Sequence, residues 1–359
     1  MPPNPLLTPG HTRRGPHGRL AYVLGASLLV LAAAVAVVLV TRGQSTPRHA
    51  HARPAPRAKA QRSAPSVPLQ PTLSPTGLRL HTPTFKLTGV GGVAPEAVRI
   101  PFHRPPRAGL LFDLRSGRVL WQRNPLARLR IASLTKMMTA LIAVRAGRPD
   151  ARVLVTREAI DTDGSKVGVL PLGRHVPFET MLYGLLLPSG NDAAVALAQN
   201  LSGSVPRFVE RMNSEAARLG LGCSRFASPS GYVDQENFSC AVDLAELAHL
   251  DLAQPRIARI TRTASAILPF PIKGGKLYLY NNNPMLRYGY PGTTGLKTGY
   301  TVASGRCLVA TAERHGVRLG VVLLDSPEPA TQARKLLDRA FEQLYGQRRL
   351  PEPPMPAGA

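Results

Sequence analysis

The stretch IASLTKMMTA, residues 131–140, sets Ser133 and Lys136 three positions apart at the mouth of an apolar run. From Ser133 to Val144 the apolar residues recur at helical spacing, and RAGRP then supplies a Gly-Pro stop. On a helix, residues i and i+3 share a face, so Lys136 is expected beside Ser133. Serine at its ordinary pKa is a poor nucleophile and needs an adjacent base. Lysine can be that base only if burial and a neighbouring cation lower its own pKa. A serine at a helix start is also the ordinary choice for an N-cap, so the pair alone leaves two readings open.

Outward from this helix the chain reads as mixed α and β. AGLLFDLRSGRVLWQ is two short apolar runs around a turn, a hairpin signal. ETMLYGLLL and NDAAVALAQNL read as helices interrupted at PSG, and VPRFVERMNSEAARLG and AVDLAELAHLDLA as two more. Toward the C-terminus TTGLKTGYT, RCLVATAER and VRLGVVLLD are strand-like, and ATQARKLLDRAFEQLY is amphipathic at helical period. Strands at both ends enclosing a run of helices imply an α+β fold, with one antiparallel sheet built from the two ends of the domain.

Two further motifs weigh on the opening pair: SGN at Ser189–Asn191, in the break between helices, and KTG at Lys297–Gly299, on an expected strand. The order S-x-x-K, S-x-N, K-T-G is that of the serine penicillin-recognising enzymes. Together with LLPSGNDAAVALAQNLSGS, FVERMNSEAARLGL, SPSGY, AVDLAELA and GLKTGYT, the chain from about residue 105 to 345 resembles the D-alanyl-D-alanine carboxypeptidases of the low-molecular-weight penicillin-binding proteins. The resemblance implies a five-stranded antiparallel sheet with helices on both sides, and a site between sheet and helices. It implies Ser133 as nucleophile, Lys136 as base and Ser189 as proton relay to the leaving amine. Asn191 would hold a substrate amide or orient Lys136. Lys297 and Thr298 would grip the substrate's terminal carboxylate, and Lys297 is the candidate cation beside Lys136. Gly299 would let the strand approach the peptide, and the backbone N–H groups of Ser133 and Tyr300 would form the oxyanion hole. The partners implied are stem peptides ending in D-Ala-D-Ala, with β-lactams as covalent inhibitors. Cys240 departs from the family pattern, which commonly has Thr in this stretch.

The rest of the chain reads differently. Residues 1–95 carry 11 Lys or Arg and no acidic residue. Leu20–Val40 runs 21 residues without a charge, long enough to cross a bilayer at about 1.5 Å per residue. No small-x-small site follows it, so an uncleaved, single-pass anchor is expected, after a basic cytoplasmic tail, residues 1–19. The basic residues after the span outnumber those before it, which taken literally would put the C-terminal side inside. The proposed substrate requires it outside. Residues 41–96, rich in Pro, Ala, Arg and Ser, read as a disordered linker. Residues 97–346 read as the catalytic domain, and 347–359 as a disordered tail.

Three cysteines exclude a disulfide scaffold. Cys307 lies in an apolar strand pattern and reads as a buried small hydrophobe. Cys223 and Cys240, 17 positions apart, pair only if the compartment is oxidising, and the sequence leaves this open. No Cys/His spacing suggests a metal, and no cofactor motif is present. A class A β-lactamase would deacylate through a Glu followed four residues later by Asn, and no Glu here has that partner. A nucleic-acid-binding role is disfavoured because the basic tail lacks interleaved aromatics. A non-catalytic envelope-binding protein on the same scaffold is disfavoured by the intact motif residues.

Overall fold

The computed structural model describes residues 72–92, 97–232 and 235–347. The expected membrane span, the basic N-terminal tail and the C-terminal tail beyond Gln347 lie outside the described residues. Among those described, no helix is long and apolar enough to cross a membrane.

The five-stranded sheet contains β1 (Ala108–Asp113), β2 (Val119–Arg123), β3 (Thr293–Thr301), β4 (Gly305–Arg314) and β5 (Val317–Leu324). Its order is β2-β1-β5-β4-β3, antiparallel throughout. The two ends of the domain therefore close one sheet, with β1 pairing Leu110 to Val322 of β5. Alternate residues of each strand enter different cores. Leu110, Phe112, Val309 and Val322 face the helical region. Leu111, Leu308, Val321 and Leu323 face the C-terminal helix Pro329–Tyr345, which buries Leu336, Leu337, Ala340 and Phe341 on them. Burial on both faces is why these strands read as unbroken apolar runs rather than alternating ones.

Between β2 and β3 the chain builds the helical region. Helix α1 (Lys136–Ala146) is its axis, and α2 (Phe178–Leu186), α3 (Asn191–Ser202), α4 (Val205–Arg218) and α5 (Ala241–Leu252) surround it. Every residue of α1 from Lys136 to Ala143 is buried, so it packs on all sides rather than along one stripe. The expected helix at Ser133–Val144 is in fact two pieces. Ala132–Thr135 is a 3₁₀ turn whose N-cap is Ile131, and the α-helix begins only at Lys136. Ser133 makes no cap hydrogen bond, which removes the bland explanation for it.

The linker reading is corrected for residues 72–92. Thr88 N–H donates to Gly117 O and Val119 N–H to Thr88 O, both at 2.9 Å, stitching this segment to the β1–β2 turn. Phe85 is buried, stacked on His249 with ring centroids 4.1 Å apart. Glu246 accepts from the Phe85 N–H and from the Thr84 hydroxyl at 2.8 Å. Composition misled because a single aromatic anchor and a pair of backbone bonds leave no periodic signal. Other elements also went unread, notably the hairpin Ser265–Pro269/Lys276–Tyr280.

Phe85→Ala empties a closed aromatic site and is expected to destabilise the fold by about 3 kcal/mol. A urea-unfolding midpoint unchanged from wild type would show that this segment is not part of the cooperative unit.

Candidate active site

Lys136 is the first residue of α1, and its side chain is wholly buried. Its Nζ lies 2.9 Å from Ser133 Oγ, 2.7 Å from Asn191 Oδ1 and 2.7 Å from Ser230 O. The amide and carbonyl oxygens can only accept. Deprotonated, the amine would have two N–H groups for those two acceptors and one lone pair left to accept from the Ser133 hydroxyl. Burial is the main cause that holds the Lys136 pKa well below that of an ordinary lysine. The charge of Lys297 adds to the depression, and Asp192 opposes it. The Asp192 carboxylate is itself taken up by backbone donors, Ala193 N–H at 2.8 Å, Val167 N–H at 2.9 Å and Gly168 N–H at 3.0 Å.

The Ser189–Asn191 motif arrives at the start of α3. Asn191 Nδ2 donates to Asp163 O at 2.6 Å, which fixes the amide so that its oxygen faces Lys136. Ser189 takes a positive φ of 65°, uncommon for a residue with a side chain. Its Oγ is buried and meets no hydrogen-bond partner among the described residues. Buried hydroxyls are nearly always paired, so the unpaired Ser189 Oγ in this motif calls for an explanation.

Strand β3 closes the other side. It is an edge strand of the sheet, so one row of its backbone groups is unpaired within the sheet. Lys297 is buried, with Nζ donating to Thr298 O at 2.9 Å, and burial lowers its pKa to about 7. Gly299 is required by contact: a Cβ there would sit 2.8 Å from Ile131 O and 3.1 Å from Ser133 N. This closeness seats the K-T-G strand against the 3₁₀ turn that carries Ser133. Thr298 and Tyr300 point to the opposite face from Lys297 and Gly299 by strand alternation. Thr298 is half-buried, and the Tyr300 side chain is 65% exposed, so any part Tyr300 plays at Ser133 falls to its backbone.

Sequence reasoning missed Ser230, whose contribution is a main-chain carbonyl and so leaves no residue-type signal. Its neighbour Gly231, at φ 75°, packs so closely on Ala132 O that no Cβ fits. The stretch SPSGY held the clue, since a glycine there permits the close approach. This loop is closed by a disulfide between Cys223 and Cys240, which settles the pairing that the sequence left open and accounts for Cys240. Cys307 is buried and takes no part in this disulfide.

A family model described as D-alanyl-D-alanine carboxypeptidase matches residues 103–328. The chain belongs to this family. A D-alanyl-D-alanine carboxypeptidase of Mycobacterium tuberculosis is 36% identical over 247 residues, 66% of this chain and 82% of that relative. One of Bacillus subtilis is 34% identical over 245 residues, but the match spans only 62% of its length and 66% of this chain. A D-alanyl-D-alanine endopeptidase of Pseudomonas aeruginosa is 30% identical, over 67% of this chain and 78% of the relative. Among solved structures, the Streptomyces K15 DD-transpeptidase superposes with a TM-score of 0.64 at 29% identity, covering 68% of this chain and 99% of that one. Ser133, Lys136, Asn191 and Gly299 of this family member thus meet at one junction of helices and sheet edge.

Rate against pH follows from the two lysines. Acylation is expected to rise from acid pH as Lys136, its pKa lowered, loses its proton, and kcat/KM for a peptide carboxylate to fall as Lys297 loses its charge above pH about 7. A profile that climbs without a break to pH 10, the ordinary lysine range, would contradict the assignment of Lys136.

Proposed function

We propose that this protein is a serine-type D-Ala-D-Ala carboxypeptidase that removes the terminal D-Ala of peptidoglycan stem peptides through an acyl-enzyme. The observation that carries the reading is the buried Lys136 amine 2.9 Å from Ser133 Oγ, beneath the free edge of the K-T-G strand. An extended peptide adds along such an edge by main-chain hydrogen bonds. Lys297 and Thr298 hold its terminal carboxylate, and the N–H groups of Ser133 and Tyr300 receive the oxygen of the scissile carbonyl.

Ser133 Oγ attacks the carbonyl carbon while its proton passes to Lys136 Nζ. The tetrahedral adduct then collapses, the C–N bond breaks, and the departing amine takes a proton delivered from Lys136 through Ser189 Oγ. Water attacks the resulting ester, with Lys136 again accepting a proton, and Ser133 is restored. A β-lactam follows the first half of this path, and its ring-opened ester occupies the site. The same acyl-enzyme serves a D,D-endopeptidase, a reading favoured by the Pseudomonas relative. Mass spectrometry of products from a defined pentapeptide and from a cross-linked dimer distinguishes the two.

The body is proposed to lie outside the cytoplasmic membrane, tethered by Leu20–Val40. The Cys223–Cys240 disulfide supports an oxidising compartment. A reporter fused after Ala359 should then be active outside the cytoplasm, and activity confined to the cytoplasm would reject both orientation and substrate.

Peptide mapping after penicillin treatment should place the adduct on Ser133, and an adduct elsewhere would sink the mechanism. Lys136→Ala should slow acylation by about two to four powers of ten at every pH. Lys297→Ala removes both an anchor and a charge that depresses Lys136, so raising the pH should recover part of its loss. Identical pH responses of the two variants would refute this division of labour.

A further inference from the structure

Beyond the catalytic junction, a cleft opens at the end of the sheet where β3 turns into β4. Arg128 and Arg130 form one wall, Ser304 of the turn another, and Arg107, Asp325 and Glu236 line the remainder. Ala303 and Ser304 follow Thr301, the last residue of the K-T-G strand, and Arg130 precedes Ile131, whose carbonyl abuts Gly299, so the cleft adjoins the far end of that strand.

The charges in it are unevenly matched. Glu236 is paired with Arg225 at 2.8 Å, and Asp325 lies 4.0 Å from Arg107. Arg128 and Arg130 are exposed, and neither has a carboxylate within 4.0 Å among the described residues, although the Arg128 charge also acts on the buried Asp243. Arg128 is steadied by donating to Gly222 O at 3.0 Å. Arg130 ends the short strand Leu129–Arg130, which pairs with Phe238–Ser239, and Arg128 immediately precedes that strand; both line the cleft, and guanidinium groups are the side chains suited to binding a carboxylate.

The direction of the substrate leads to this cleft. With the terminal carboxylate at Thr298 and the scissile carbonyl at the Tyr300 N–H, the leaving residue spans those two positions. The acyl portion must continue past Thr301 toward Val302–Ser304. Extended chain advances about 3.3 Å per residue, so the stem residues one or two before the penultimate D-Ala come level with the turn that contains Ser304.

We propose that this cleft is a specificity subsite in which Arg128 and Arg130 bind a free carboxylate of the stem peptide upstream of D-Ala-D-Ala. The inference rests on the substrate reading above. The carboxylate comes either from the γ-linked glutamyl residue or from a dicarboxylic diamino acid after it. The subsite favours stems in which that group is ionised over stems in which it is amidated.

Steady-state kinetics on the full chain test this with three synthetic pentapeptides: both carboxylates free, only the glutamyl one amidated, and only the diamino-acid one amidated. The wild-type enzyme should show a KM raised about tenfold for one amidated peptide, the loss of a charge-assisted contact, with kcat little changed. Which peptide suffers identifies the source. The double variant Arg128→Gln/Arg130→Gln should raise KM about tenfold for the doubly free peptide and erase the discrimination, and Arg130→Lys should restore part of it. Equal KM values for all three peptides in the wild type, or a KM rise in the variant shared equally by the amidated form, would overturn the subsite. Penicillin acylation of Ser133 is followed in the same samples. Acylation and peptide turnover without discrimination refute the subsite alone, whereas absence of both in the wild type refutes the catalytic reading and the subsite with it.

Discussion

An amine sealed from water, without a carboxylate to pair with, is held most cheaply as a neutral group, and the rest of this site is arranged around that constraint. Lys136 is fully buried at the start of a helix that is itself buried on every side. Ionised there it would incur a desolvation cost of several kcal/mol. Neutral, it needs two acceptors and offers one lone pair. Asn191 and the Ser230 carbonyl supply the acceptors, and Ser133 stands at the lone pair. The two acceptors come from separate parts of the chain, so base strength and base orientation are both tertiary properties.

The supporting structure keeps these acceptors still. Asn191 is held from behind by Asp163 O, and the 163–168 loop is in turn tied down by Asp192 at the same helix end. Ser230 is carried by a loop closed at its base by the Cys223–Cys240 disulfide and seated through Gly231 on Ala132. A close backbone approach at Gly231 and another at Gly299 clamp the short turn bearing Ser133 between loop and sheet edge. Side chains at either position would push the Ser133 turn away from its neighbours.

The sheet has its own asymmetry. One edge, β2, is joined at Thr88 by residues 72–92 of the body, through an isolated bridge to Arg118 at the β1–β2 turn. The other, β3, ends the sheet beside the helical region. An open edge is ordinarily a liability for association, and in this fold its charged and glycine-bearing face lies against the nucleophile. The place where the sheet stops is thereby the place where a peptide can extend it.

Sequence by itself determined the kinds of elements and the chemical inventory. The apolar runs of β1, β4 and β5 and the helical period of Pro329–Tyr345 were legible because burial imposes its own period on composition. Ser133, Lys136, Ser189, Asn191, Lys297 and Thr298 were legible as candidates because residue type carries a side-chain signal and their motifs are unusual in combination. Tertiary structure alone decided that α1 begins at Lys136 rather than Ser133, since a 3₁₀ turn is a response to the strand and loop pressed against it. It decided that Thr84, Phe85 and Thr88 belong to the body, because their anchoring is a few specific contacts with Glu246, His249 and Gly117. It also decided the part of Ser230, because a carbonyl oxygen belongs to every residue and only its position distinguishes one from another.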